Sequence, residues 1–142
     1  MTLIHPNHDL IALGVRQPWA ELIVRGIKTI EVRSQNTNQR GTIYIYAAKK
    51  PSTIAPASQA IEKYDLDLGS LPRGLLIGTV ELFDSIPCKT DDARASCVST
   101  SWLENQFAWH LRHPCRFSEP LSVRFLPYGV WFYPFRRRNS TK

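Results

Sequence analysis

Long apolar runs are missing from this chain of 142 residues: none approaches the roughly 20 consecutive apolar residues that a membrane-spanning helix needs. Met1 to Leu10 contains His5, Pro6, Asn7, His8 and Asp9 where a signal peptide would place its apolar centre, so an intracellular, cytoplasmic protein is expected. Cysteine is also scarce. Cys88, Cys97 and Cys115 form an odd set with no Cys-x-x-Cys pair, which excludes a full disulfide framework and makes reduced thiols the default. No Gly-rich phosphate loop and no Gly-x-Ser-x-Gly elbow is present. What remains is the size of one domain, with 43% hydrophobic residues to fill one core.

Acidic residues fall short of basic ones, 12 against 18, for a formal net charge of +6. The excess is uneven. Residues 16–50 hold seven cations against two carboxylates, a net +5, and residues 136–142 add four cations, while residues 51–135 come to −2. Such asymmetry suits a surface that contacts phosphate, since neutralised phosphates release counterions and supply most of the affinity. The tail from Arg136 to Lys142 has no apolar anchor and reads as a solvated end, with RNA contact as a second reading.

The densest charge lies in Gly26-Ile27-Lys28-Thr29-Ile30-Glu31-Val32-Arg33. Upstream, Pro18 stands where a helix begins and Gly26 where one ends in a left-handed residue, which brackets a short helix with Trp19, Leu22 and Ile23 on its buried stripe. From Ile27 to Arg33 the β-branched residues predict a strand. Alternation puts Ile30 and Val32 on one face and Thr29, Glu31 and Arg33 on the other, while the long stem of Lys28 carries its ammonium to the mouth of the enclosed space. Further strands are expected at residues 42–48, 75–83, 121–125 and 129–135. A second helix is expected at 54–64 with Pro56 in its first turn, and surface loops at 66–74 and 87–100. Strands broken by a few helices predict an α+β fold.

The stretch Val15-Arg16-Gln17-Pro18-Trp19-Ala20, followed by Gly26-x-Lys28-x-x-Glu31-x-Arg33, resembles the signature of the ASCH domain family. Arg40-Gly41 before the second strand, Ile77-Gly78-Thr79-Val80-Glu81-Leu82-x-Asp84, and Phe107-Ala108-Trp109-His110-Leu111 ahead of Pro114 fit the same pattern, and the likeness spans roughly residues 11 to 133. It implies a small PUA-like β-barrel, mixed or antiparallel, with two or three flanking helices. The domain is placed at residues 11–135 between an N-terminal tail, 1–10, and the basic C-terminal tail, 136–142.

The resemblance admits two functions. In a binding module for RNA or a nucleotide, Arg16, Lys28 and Arg33 contact phosphate or a base edge, Glu31 accepts from a base amino group or holds Arg33, and Gln17, Trp19 and Tyr46 complete the site. In an enzyme similar to the family's small amidohydrolases of acylated pyrimidine nucleosides, or to its metal-independent ribonucleases, Lys28 matches the motif lysine and Glu81 the distant base. Glu31 occupies the position of the nucleophilic threonine, where a carboxylate can act as a general base toward water. No cofactor is implied. Tyr44 with Tyr46, and Trp102 with Phe107 and Trp109, make a stacking platform or, more simply, core. If one aromatic residue is exposed, Trp19 or Tyr46 is expected. His110, His113 and Cys115 lie close together but fall short of the four ligands that zinc prefers, so no metal site is assigned.

Overall fold

The computed structural model describes residues 7–136. Six strands and three helices follow in the order β1 (Ala12–Val15), α1 (Trp19–Val24), β2 (Ile30–Arg33), β3 (Gly41–Ala47), α2 (Ala55–Lys63), β4 (Leu75–Pro87), α3 (Ala93–Ser96), β5 (Phe107–Leu121) and β6 (Trp131–Phe132). The strands form one mixed sheet in the order β2-β5-β4-β3-β1-β6, curled into a half-barrel. β1 and β3 run parallel, pairing Ala12 with Tyr44 and Val15 with Ala47, and every other pairing is antiparallel. This α+β architecture with three helices matches the sequence expectation.

The expected bracket around α1 holds. Pro18 is its N-cap and Gly26 adopts φ +80°, the left-handed conformation that glycine tolerates best. All six residues of the helix are buried, including Glu21, so the stripe of Trp19, Leu22 and Ile23 is part of a helix covered on every side. α2 also fits its pattern, with Pro56 in the first turn, where a missing N–H costs no helical hydrogen bond, and with Ala57 and Ala60 buried.

The core has two parts separated by the sheet. Leu13, Val15, Ile43, Ile45, Val80 and Leu82 pack against α1 on the concave side. Ala12, Tyr44, Tyr46, Leu76, Phe117 and Phe132 form a smaller cluster on the other. Both faces of β3 are therefore covered, which explains its continuous apolar run. The rings of Tyr44 and Tyr46 are core, as the simpler reading expects, and burial pushes both phenols above the usual range.

Four expectations are corrected. Residues 87–100 are not a plain loop, because Ala93–Ser96 forms α3, whose Ala95 carbonyl accepts from the Thr29 N–H and whose Ser96 is buried. β4 runs on past Phe83 to Pro87. The strand expected at 121–125 is absent, since Leu121 ends the 15-residue β5, and the strand at 129–135 shrinks to Trp131–Phe132. β5 stays continuous through Pro114 because register shifts against β4, with His113 at φ 55°, absorb a residue that cannot donate to a regular ladder. Of the basic tail only Arg136 lies within the described residues. Its guanidinium sits 3.8 Å from the Tyr133 ring centroid and 3.8 Å from the Asp9 carboxylate, so this residue is tied down.

Gly78 marks the tightest crossing. A Cβ there would lie 2.3 Å from the Cys115 carbonyl oxygen and 2.8 Å from Val24 Cγ1, where β4, β5 and α1 meet. Gly78→Ala is expected to destabilise the fold by about 1–3 kcal/mol or more through overpacking. Chemical denaturation reads this as a lower midpoint at unchanged slope, and an unaltered midpoint contradicts the tight crossing.

Candidate nucleic-acid interface

β1 and β3 deliver their C-terminal ends side by side, and the segments that follow carry the charges. Arg16 follows β1. Lys49 and Lys50 follow β3 in a loop pinned at both ends, with Ala48 N–H donating to the Val15 carbonyl at 2.9 Å and Ser52 N–H donating to the Gln17 carbonyl at 2.8 Å. Facing them, residues 126–130 are anchored by the Gly14 N–H, which donates to the Val130 carbonyl at 2.8 Å. Between these segments opens a cleft of about 890 Å³, whose lining includes Arg16, Trp19, Glu31, Arg33, Tyr46, Lys49 and Lys50. Leu126 and Val130, respectively 67% and 49% exposed, form an apolar lip on its far side.

Glu31 and Arg33 enter from β2. Glu31 is 6% exposed. Arg33 Nε donates to Glu31 Oε2 at 2.8 Å, and Arg33 Nη2 donates to the Gly14 carbonyl at 2.9 Å, so one side chain links β2 to β1 across the gap in the half-barrel. Its guanidinium also lies 5.5 Å from the Trp109 ring centroid. Arg16, Lys49 and Lys50 are exposed, and their side chains have no hydrogen-bond or ion-pair partner among the described residues. The cleft thus carries four cations against one carboxylate that is already paired.

Lys28 differs from expectation. It precedes β2, its side chain is 3% exposed, and its ammonium donates to the Ser96 carbonyl of α3, beneath the Trp19 ring at 4.8 Å and 3.8 Å from Glu31 Oε1. Instead of reaching the cleft it lines a smaller hollow of about 400 Å³ with Trp19, Glu31, Val98 and Trp102. α3, which stands where a loop is expected, seals it in. Gln17 also turns inward: fully buried, it donates to the Pro72 carbonyl at 2.9 Å and accepts from the Glu21 N–H, and it does not line the cleft. Trp19 and Tyr46 line the cleft yet are only 7% and 3% exposed, and the exposed tryptophan is Trp102 at 41%. Trp109 is core, its indole donating to the Gln35 carbonyl at 3.0 Å, and Phe107 is half-buried.

Glu81 lies on the opposite face of β4 from the core residues Val80 and Leu82, away from Lys28. Arg112 holds it through two hydrogen bonds of 3.1 and 3.0 Å, and His113 Nδ1 lies 3.0 Å away. Arg112, and secondarily His113, keep its carboxyl below the usual range, the reverse of what a general base needs. Glu81 is thus engaged by Arg112 and His113, while the Lys28 ammonium is engaged by Ser96. His110, His113 and Cys115 spread along β5, with His113 committed to Glu81 and Cys115 exposed. No cluster of three or more metal-ligating side chains occurs among the described residues, nor does a helix long and apolar enough to cross a membrane.

The charge distribution along the chain puts Lys49 and Lys50 in the basic segment without assigning them to the site. Their adjacency directly after a strand, matching Arg16 after its parallel neighbour, is the signal that points to them. The lip at 126–130 has none.

Burial is the main influence on Lys28 and lowers its pKa, against the raising effect of Glu31. The folded state then binds fewer protons than the unfolded chain between that depressed value and the ordinary 10.5. Stability contributed by this group rises with pH across that window, by at most about 1.4 kcal/mol per pH unit. Buried Tyr44 and Tyr46 and the partly buried Cys88 and Cys97, all raised, work in the opposite direction. Lys28→Met is therefore expected to remove the rising component, visible as a more negative slope of unfolding free energy than in the wild type as the pH approaches 10.5 from below. Parallel slopes contradict a desolvated ammonium.

Comparison with known proteins identifies the fold and the family. The ASCH domain model matches residues 13–121. Human Activating signal cointegrator 1 is 44% identical over 84 residues, 54% of this chain and 14% of that protein, and the mouse protein of the same name is 38% identical, also over 84 residues. The chain thus covers about 14% of the length of these curated relatives. The crystal structure of ASCH from Zymomonas mobilis superimposes with a TM-score of 0.60 at 17% identity, covering 93% of this chain and 90% of that one. A point mutant of that protein gives 0.59 at 18% identity, covering 94% and 92%. At such identities the structural likeness concerns the fold, and the family follows from the domain match over most of the chain: this protein belongs to the ASCH domain family.

Proposed function

We propose that this domain binds RNA or a nucleotide in the cleft between the β1 and β3 termini and the lip at 126–130. The observation that carries the reading is the set of unpartnered cations, Arg16, Lys49 and Lys50, on anchored segments around one concave surface. Exposed cations held in place without acidic partners favour an external anion, and phosphate contacts position a polynucleotide without reading its sequence. Arg33 adds a planar guanidinium at the inner wall, oriented by Glu31 and the Gly14 carbonyl. Lys28 supports this wall from behind, through Glu31 and the Trp19 ring, and does not itself meet phosphate.

The geometry favours binding over hydrolysis. With Glu81 engaged on the outer face and the Lys28 ammonium committed to Ser96, the amidohydrolase-like constellation of Lys28, Glu31 and Glu81 does not assemble. Glu31 holds Arg33 in place of supplying a nucleophile.

Fluorescence anisotropy with a labelled single-stranded RNA of about ten nucleotides tests the proposal. Binding is expected to weaken with salt, and Lys49→Ala/Lys50→Ala to lower both the affinity and the salt slope, by about 0.7 for each phosphate no longer neutralised. Glu81→Gln, on the outer face, should leave both unchanged. Equal salt slopes for wild type and the double lysine variant overturn the proposed surface.

A further inference from the structure

The cleft does not end at its own walls. Arg33 and Val130 are shared with a hollow of about 460 Å³, bounded by Gln35, Asn36, Trp109 and Trp131. Trp19 and Glu31 are shared with the hollow of about 400 Å³ that reaches Trp102, Glu104 and Gln106. Three concavities therefore adjoin through common side chains, the largest in the middle, and each falls within the range of small-molecule sites, about 300–1,000 Å³.

Charge divides them. The exposed cations Arg16, Lys49 and Lys50 all line the middle section. Beyond Arg33, the end hollow has only uncharged polar groups and indoles: Ser34, Gln35, Asn36, Thr37 and the stacked pair of Trp109 and Trp131, 5.7 Å apart with an 18° interplanar angle. At the other end the sole cation among the lining residues, Lys28, is buried and already committed, and Glu31 and Glu104 make that hollow unfavourable for phosphate. Both ends offer what a nucleobase needs: amide donors and acceptors from Gln35 and Gln106, and indole surface, that of Trp102 being 41% exposed. Neither Gln35 nor Gln106 has a side-chain hydrogen bond among the described residues.

From this division we infer that the three hollows form one trough for consecutive nucleotides of a single strand. The backbone phosphates lie in the middle section, and one flanking base enters each end. The inference rests on the binding function proposed above and specifies its ligand: a single-stranded segment of about three nucleotides, with Gln35 and Trp102 as base-contacting residues on opposite sides of the phosphate contacts. Because a paired base has its Watson–Crick edge occupied and its faces stacked, a duplex cannot fill the end hollows.

Isothermal titration with uridine monophosphate, the trinucleotide and the hexanucleotide of the same base separates this inference from the reading it rests on. Each seated base contributes at least about fivefold if it stacks at the lower end of the usual range. The trinucleotide, which seats a base at both ends where the mononucleotide can seat one, is therefore expected to bind at least about fivefold more tightly, while the hexanucleotide adds little more than its larger number of registers. Gln35→Ala and Trp102→Ala should each weaken trinucleotide binding severalfold, whereas Glu81→Gln, on the outer face, should leave it unaltered. Equal affinities for mono- and trinucleotide, or full trinucleotide affinity in both variants, overturn the trough while leaving the central cleft as a phosphate site. Failure of all three ligands to bind at low salt overturns both.

Discussion

A single guanidinium ties the chain's most charged segment to the closure of its sheet. Arg33 stands on β2, at one edge, and reaches the carbonyl of Gly14 on β1, next to the other edge, while its Nε holds Glu31. A half-barrel left open between these edges would leave the Gly14 carbonyl to water and Glu31 without its strongest partner. Burying a carboxylate costs several kcal/mol unless it is paired and hydrogen-bonded, and Glu31 meets that demand from two sides, Arg33 at 2.8 Å and Lys28 at 3.8 Å. The inner wall of the cleft and the join of the sheet are thus the same set of contacts.

A second buried carboxylate fixes the opposite side of α1. Glu21 is fully buried, and its Oε2 accepts from Arg25 at 2.6 Å and from Arg116 on β5 at 2.9 Å, while its Oε1 has no partner among the described residues. The helix is thereby clamped to β5 by charge as well as by packing against β3 and β4. Charge-assisted hydrogen bonds of this kind are directional, so α1 is held in one rotational setting, and with it Trp19 at the junction between the cleft and the smaller hollow.

Much of this is legible in the residues. Pro18 and Gly26 mark α1 because each has a backbone constraint that few other positions satisfy. The alternation of Ile30 to Arg33 places Glu31 and Arg33 together, as the structure has them. What escapes a reading of the residues is set by non-local contacts. α3 is only four residues long and has no apolar stripe of its own; it exists where Ala95 and Ser96 carbonyls meet Thr29 and Lys28. Its presence reverses the expected position of the Lys28 ammonium. β5 runs through a proline, which local rules forbid and a bulged register permits. Glu81 illustrates a different limit: its strand is evident from the apolar run, but which face looks toward the cleft depends on the curl of the sheet.

The pairing of Ala12 and Leu13 with Phe132 and Trp131 joins the first strand to the last. A chain emerging from the ribosome in order can pair β1 with β3 early, but β1 keeps a bare edge until the residues of β6, at the far end of the domain, arrive. Contacts so distant along the chain form slowly and late. The same segment supplies Val130 and Leu126, so the lip of the cleft is also delivered last. The nascent domain therefore exposes a strand edge for as long as its cleft is unfinished, and both become complete in one step when the final strand docks.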